Sequence, residues 1–116
     1  MSAYPANYNI EHYRGDTFLK YFTWKDGDGD PVDMTGGTLL AQIRQSTSYT
    51  ATVYATFTVQ NEDPVNGYFE LYLAPETLKE AAWTRAFWDV QFTYSSGEVQ
   101  TLVYGEFNLT DDVSHE

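Results

Sequence analysis

The stretch Thr52–Val59, "TVYATFTV", sets Val53, Ala55, Phe57 and Val59 on one side and Thr52, Tyr54, Thr56 and Thr58 on the other. Successive side chains of an extended chain point to opposite faces, so this period of two specifies a strand with one buried face. The same period recurs along most of the chain. In Phe18–Trp24, Phe18, Phe22 and Trp24 share a face, with Lys20 at its polar gap. In Thr38–Arg44, Leu39, Ala41 and Ile43 oppose Leu40, Gln42 and Arg44. In Tyr68–Leu73, Phe69, Leu71 and Leu73 point inward and Tyr68, Glu70 and Tyr72 outward. Trp88, Val90, Phe92 and Tyr94 form the inward set of Ala86–Tyr94. Glu98–Leu109 turns Val99, Thr101, Val103, Gly105, Phe107 and Leu109 to one face, and Gly105 there marks a bulge or a close backbone approach. An opening strand over Asn7–Tyr13 brings the number expected to seven.

The connections carry turn chemistry. "RGDT", "NEDPVNG" and "SSGE" supply the Gly, Asp, Asn and Pro that tight turns need, the last as a hairpin. Pro75–Trp83 differs: Pro75 precedes helix formers, and Thr77 with Glu80 has the spacing of a capping box. A short helix is expected there, crossing one end of the fold. Short strands at regular spacing with one helical crossover predict an all-β, immunoglobulin-like antiparallel sandwich, with a small β-barrel as the alternative. At 116 residues the chain is expected to form a single domain, 1–116, with a short N-terminal arm, 1–7, and a C-terminal tail, 111–116.

Composition removes several functions. Without cysteine there are no disulfides, thiol nucleophiles or thiolate metal sites. The formal net charge is -11, and the six basic residues (Arg14, Lys20, Lys25, Arg44, Lys79, Arg85) are scattered. Phosphate recognition needs clustered Lys and Arg, so neither nucleic acid nor an anionic membrane is an expected partner. No apolar run nears the roughly 20 residues that span a bilayer, and the first residues do not read as a signal peptide.

The stretch Lys25–Asp33, "KDGDGDPVD", invites a metal reading, because Asp26, Asp28 and Asp30 alternate like the first ligands of a calcium loop. Such a loop needs Gly at position 6 and Glu at position 12; Pro31 and Gly37 stand there instead. An acidic turn between strands is therefore expected, with a looser calcium cage of Asp26, Asp28, Asp30 and Asp33 as the alternative. The turn has a mechanism of its own, since "DGDG" provides left-handed positions and Pro31 drives Asp30 to an extended conformation. Arg14–Asp16 spells Arg-Gly-Asp, but a tripeptide recurs too often by chance to carry an adhesive function, and Gly-Asp makes a turn. No catalytic residue is assigned: His12 lies in the opening strand and His115 in the C-terminal tail, a Ser-His-Asp device or a histidine metal cluster would need more than these two, and outward carboxylates on strands are ordinary. No cofactor is expected.

Aromatic residues make up 17% of the chain, more than one small core requires. Tyr21, Tyr54, Tyr68, Tyr72 and Tyr104, together with Phe87, fall opposite the best apolar faces. Aromatic rings left outside favour protein–protein contact or carbohydrate stacking.

Several segments in order, "RGDTFLKYFTWKDGDGDPVDMTG", "TLLAQIRQS", "YFELYLAPETLKEAAW" and "FWDVQFTYSSGEVQTLVYGEFNLTDDV", resemble a family of small bacteriophage structural proteins. These are β-sandwich domains akin to the N-terminal domain of siphophage baseplate upper proteins. The resemblance runs from about Tyr8 to Val113. It implies a virion component, made in the host cytoplasm, that serves as a tail, baseplate or fibre-attachment adaptor. The implied partners are other virion proteins, with repeated copies in a symmetric assembly. The chain ends after the sandwich, without the stalk or receptor-binding module of that family, which shifts the expectation from host recognition to an adaptor or a capsid cement protein. Edge strands extending a neighbour's sheet are the expected mode of assembly. A carbohydrate-binding sandwich module is the alternative from a different class.

Overall fold

The computed structural model describes residues 6–48 and 50–111. In chain order the elements are β1 (Ala6–Asn7), β2 (Ile10–Tyr13), β3 (Phe18–Thr23), β4 (Thr38–Arg44), β5 (Val53–Thr56), β6 (Thr58–Asp63), β7 (Tyr68–Leu73), α1 (Pro75–Lys79), β8 (Arg85–Thr93) and β9 (Val99–Thr110). They form two sheets, one ordered β1–β9–β8–β4–β5 with β2 also on β9, the other β3–β7–β6. The fold is the expected all-β, immunoglobulin-like sandwich and not a closed barrel. Pairing is antiparallel except where β1 and β2 run parallel to β9.

The core lies between the sheets and is largely aromatic. Phe18, Phe57, Phe69, Trp88, Phe92 and Phe107 are all buried. Phe57 packs against Phe18 at 5.3 Å between ring centroids and against Trp88 at 6.1 Å. Burying one such side chain contributes roughly 1.5–3 kcal/mol. α1 closes one end, carrying the chain from β7 in the small sheet to β8 in the large one, with Leu78 buried beneath it.

Five expectations need correction. Thr52–Val59 is not one strand: β5 belongs to the large sheet and β6 to the small one, and the chain crosses at Phe57. Because both sheets enclose the same core, Ala55, Phe57 and Val59 stay inward through the crossing, and the alternation hides it. Val53, expected on the same side, is instead 40% exposed and pairs with Arg44 beside a register shift. Second, Asn61 to Asp63 continue β6 instead of opening the turn, with Asn61 at φ 51 and a register shift there. Third, the opening strand is broken into β1 and β2, so Ala6 and Asn7 pair with Val103 and Tyr104 instead of belonging to an arm. Residues 1–5 of that arm and 112–116 of the tail, His115 among them, lie outside the described residues. Fourth, α1 ends at Lys79, and its N-cap is Ala74 with no side-chain bond, so Thr77 and Glu80 form no capping box.

The fifth concerns β9. Its register against β8 shifts between Val90 and Gln91, so that Val90 faces Val103 but Gln91 faces Thr101. Leu102 is the extra residue and is buried. Beyond it the alternation inverts: Val99 is exposed, and Gln100 accepts a hydrogen bond from the Tyr94 hydroxyl at 2.8 Å. Gly105 is a close approach and not the bulge. A Cβ there would sit 2.2 Å from the Tyr8 carbonyl oxygen. That same oxygen accepts the buried Trp88 indole N–H at 2.8 Å.

Candidate interaction surfaces

The aspartate stretch closes on itself. One oxygen of Asp26 accepts the backbone N–H groups of Asp28 at 2.9 Å and Asp30 at 3.0 Å. Its backbone joins in, donating to the Asp30 carbonyl at 2.9 Å, and Gly29 takes the left-handed position at φ 86. Asp33 is turned elsewhere: it accepts the Thr35 hydroxyl at 2.5 Å and the Thr35 N–H at 2.9 Å, which together hold its carboxyl below the usual range. Among the described residues no group of three or more His, Asp or Glu is placed to hold a metal ion.

Arg14 is a structural clamp. It donates to the carbonyls of Ala81 and Trp83, in the connection after α1, and to Asp111 at 2.8 Å. Its side chain is 18% exposed, so the Arg-Gly-Asp tripeptide does not present its arginine. His12 donates to the Asp16 carbonyl at 3.0 Å and packs edge-on against Phe18.

Three of the five tyrosines singled out come together on the outer face of the small sheet. Register fixes the arrangement, because directly paired residues point to the same side. Leu19 pairs with Tyr72, Tyr21 with Glu70 and Thr23 with Tyr68. On the other flank Tyr72 pairs with Thr58, Glu70 with Gln60 and Tyr68 with Asp63. These nine positions contain two carboxylates and no lysine or arginine. Leu19 is 58% and Tyr21 69% exposed. The rings of Tyr21 and Tyr68 lie 6.0 Å apart at 34°.

Glu70 sits at the centre. It accepts the Tyr68 hydroxyl at 2.6 Å, the Asn61 amide at 2.8 Å and the Gln60 amide at 3.4 Å. The Tyr68 bond, then that of Asn61, holds the Glu70 carboxyl below its ordinary value. The same bond raises the Tyr68 hydroxyl. At neutral pH the face therefore carries a fixed negative charge framed by aromatic rings.

Tyr54 and Tyr104 lie elsewhere. Tyr54 stacks face to face on Trp83, 5.0 Å apart at 8°, and packs against the core. Tyr104 lines a groove of about 440 Å³ on the outer face of the large sheet, with Asn7, Asn9, Arg44, Phe87 and Asp89. Burial raises the Asp89 carboxyl, and the Arg44 guanidinium opposes that shift. Glu106, also in the groove, pairs with Arg85 at 2.7 Å, and Arg85 lies over the Phe87 ring. Of its lining, only Tyr104 and Phe87 stood out in sequence, as outward aromatics; Asp89 and Arg44 stand on different strands, and only pairing brings them to one face.

The fold is similar to that of the N-terminal domain of ORF48 of phage TP901-1, with a TM-score of 0.55 at 12% identity, over 93% of this chain and 91% of that one. A family 123 glycoside hydrolase from Clostridium perfringens aligns with a TM-score of 0.42 at 10% identity; the match covers 95% of this chain but 24% of the hydrolase, and bears on neither fold nor activity. No family model and no curated sequence matches the chain.

Proposed function

We propose that this chain is a bacteriophage virion structural domain that works by protein–protein assembly, as an adaptor in a tail, baseplate or fibre-attachment apparatus. The observation that carries this reading is the nearly end-to-end likeness in fold to the phage TP901-1 ORF48 domain. The resemblance in sequence segments points the same way.

The sheet edges bear on how such an adaptor would assemble. β3 and β6 are the free edges of the small sheet. β3 carries Lys20 on its inward side, with its ammonium 4.9 Å from the Tyr8 ring centroid, and β6 is kinked at Asn61. At the end of the large sheet β5 is four residues long. An inward charge, a bulge and a short strand are the devices that discourage strand addition. These features favour assembly through sheet faces over the edge extension expected from sequence.

The test is mass spectrometry of purified particles from cells that carry the gene, with pull-down of particle proteins by the tagged chain. Recovery with tails or baseplates is expected. Recovery with tail-less heads would assign a cement role instead. Absence from particles, with no captured particle protein, would refute the reading, and glycan-array binding in that case would favour a carbohydrate module.

A further inference from the structure

We infer that the outer face of the small sheet docks a basic protein segment that presents arginine. This deepens the assembly reading and rests on it for the identity of the neighbour. The chemistry comes from the face itself. Tyr21 and Leu19 are largely exposed, with Tyr68 and Tyr72 beside them on β7. Tyrosine provides large contact area at small entropic cost, and such residues concentrate in the centre of interfaces.

Charge selects the partner. Glu70 and Asp63 are the charged residues among the nine positions, and Glu62 is exposed next to Asp63. Lys20, between Leu19 and Tyr21 in β3, is turned to the opposite side and held over the Tyr8 ring. None of the nine paired positions thus carries a cation to balance these carboxylates. The groove on the large sheet differs, since Arg44 and Arg85 stand beside Asp89 and Glu106 there. A second copy of this chain is a poor occupant, because the chain carries a formal net charge of -11 and the face would meet its own carboxylates.

Arginine fits better than lysine. Its planar guanidinium stacks on aromatic rings and donates to carboxylates in the same plane, whereas an ammonium is a compact, strongly hydrated charge. Tyr21 is exposed beside Tyr68, and Glu70 is its directly paired neighbour across the strands. Ring and carboxylate therefore present themselves side by side.

The test titrates the ¹⁵N-labelled full chain with the peptide acetyl-Gly-Arg-Gly-Arg-Gly-amide at low salt, against its lysine and glutamate counterparts. Shifts are expected at Leu19–Thr23 and Tyr68–Tyr72. The affinity should fall about tenfold in Tyr21→Ala and in Glu70→Gln, as for a residue central to an interface, and the arginine peptide should bind best. Shifts centred on Phe87, Asp89 and Tyr104, shifts spread evenly over acidic residues, or a titration indifferent to Tyr21→Ala would overturn the inference. A photo-crosslinking residue at position 21 or 104, introduced in producing cells, separates the two readings. Crosslinks to a particle protein from position 21 support the docking face. Crosslinks from 104 alone overturn it and leave assembly standing. A chain absent from particles removes the assembly reading and leaves the peptide result intact.

Discussion

Replacing Gly105 with alanine is expected to loosen the first strands from the rest of the sandwich. The new methyl would stand 2.2 Å from the Tyr8 carbonyl oxygen, 2.7 Å from its carbon and 2.9 Å from the Asn9 side-chain oxygen. Backbone cannot yield there without moving β1 and β2 off β9. Three hydrogen bonds depend on that approach: Trp88 indole to Tyr8 carbonyl at 2.8 Å, Tyr8 N–H to Tyr104 carbonyl at 2.9 Å, and Glu106 N–H to Asn9 at 2.9 Å. At about 1 kcal/mol each they contribute roughly 3 kcal/mol, and the buried indole N–H has no water to replace its acceptor. Gly105 does not occupy the left-handed region, so alanine brings no backbone strain there. It recovers about 0.4–1 kcal/mol by narrowing the unfolded ensemble. The net loss is about 2–3 kcal/mol, which in a domain of this size lowers Tm by about 8–12 °C. Thermal unfolding followed by near-ultraviolet circular dichroism measures the loss, and hydrogen exchange at Tyr8 and Glu106 locates it. A variant melting within about 2 °C of the parent, on the same scale, would refute the reasoning, since it would mean that Tyr8 does not lie on Gly105.

Other perturbations separate the clamp, the groove and the two kinds of tyrosine. Arg14→Ala should cost about 1–3 kcal/mol in urea unfolding, because two backbone carbonyls lose a charged donor, while Asp111→Asn should change stability by less than about 0.5 kcal/mol, its side chain being 83% exposed. Asp89→Asn should raise Tm at pH 7. Burial raises the folded-state pKa, so the folded protein binds the proton first and ionisation of Asp89 disfavours folding as pH rises; the gain should vanish once pH falls below the ordinary aspartate range. Glu70→Gln should have the opposite profile. The depressed pKa stabilises the fold above the ordinary glutamate value and ceases to do so as pH falls through the folded pKa, so the variant should be the less stable at neutral pH and equal to the parent in acid. Tyr54→Ala should lower Tm through loss of the Trp83 stack and leave arginine-peptide binding unchanged; weakened binding without destabilisation would place Tyr54 on the docking face.

Alternation was enough to identify the sandwich because each buried face is written locally, as in Phe69, Leu71 and Leu73. What it could not show are events that leave the local pattern intact or depend on a partner strand. Phe57 keeps its place in the alternation while the chain changes sheets. The extra residue Leu102 is as apolar as its neighbour Val103, so nothing in composition reveals that Val99 and Gln100 have exchanged sides. The interaction surface was half legible. Tyr21, Tyr68 and Tyr72 were recognisable as outward, but their meeting around Glu70 is a matter of register between β3 and β7. Tyr54 sat on the same kind of position and went to Trp83, because the ring that covers it comes from the distant segment after α1.

The parallel pairing of β2 with β9 has a mechanical consequence. The chain enters this pair at the Ala6 end and leaves it at the Thr110 end, with Ile10 facing Phe107 and Tyr13 facing Thr110. Tension between the two ends of the domain therefore runs along both strands in opposite directions. It shears the whole ladder at once and cannot peel it open one bond at a time. A domain strung between two parts of a larger machine would resist extension in that direction far more than when pulled from the Ser95–Glu98 hairpin, and single-molecule stretching from the two pairs of points would read the difference as a higher unfolding force.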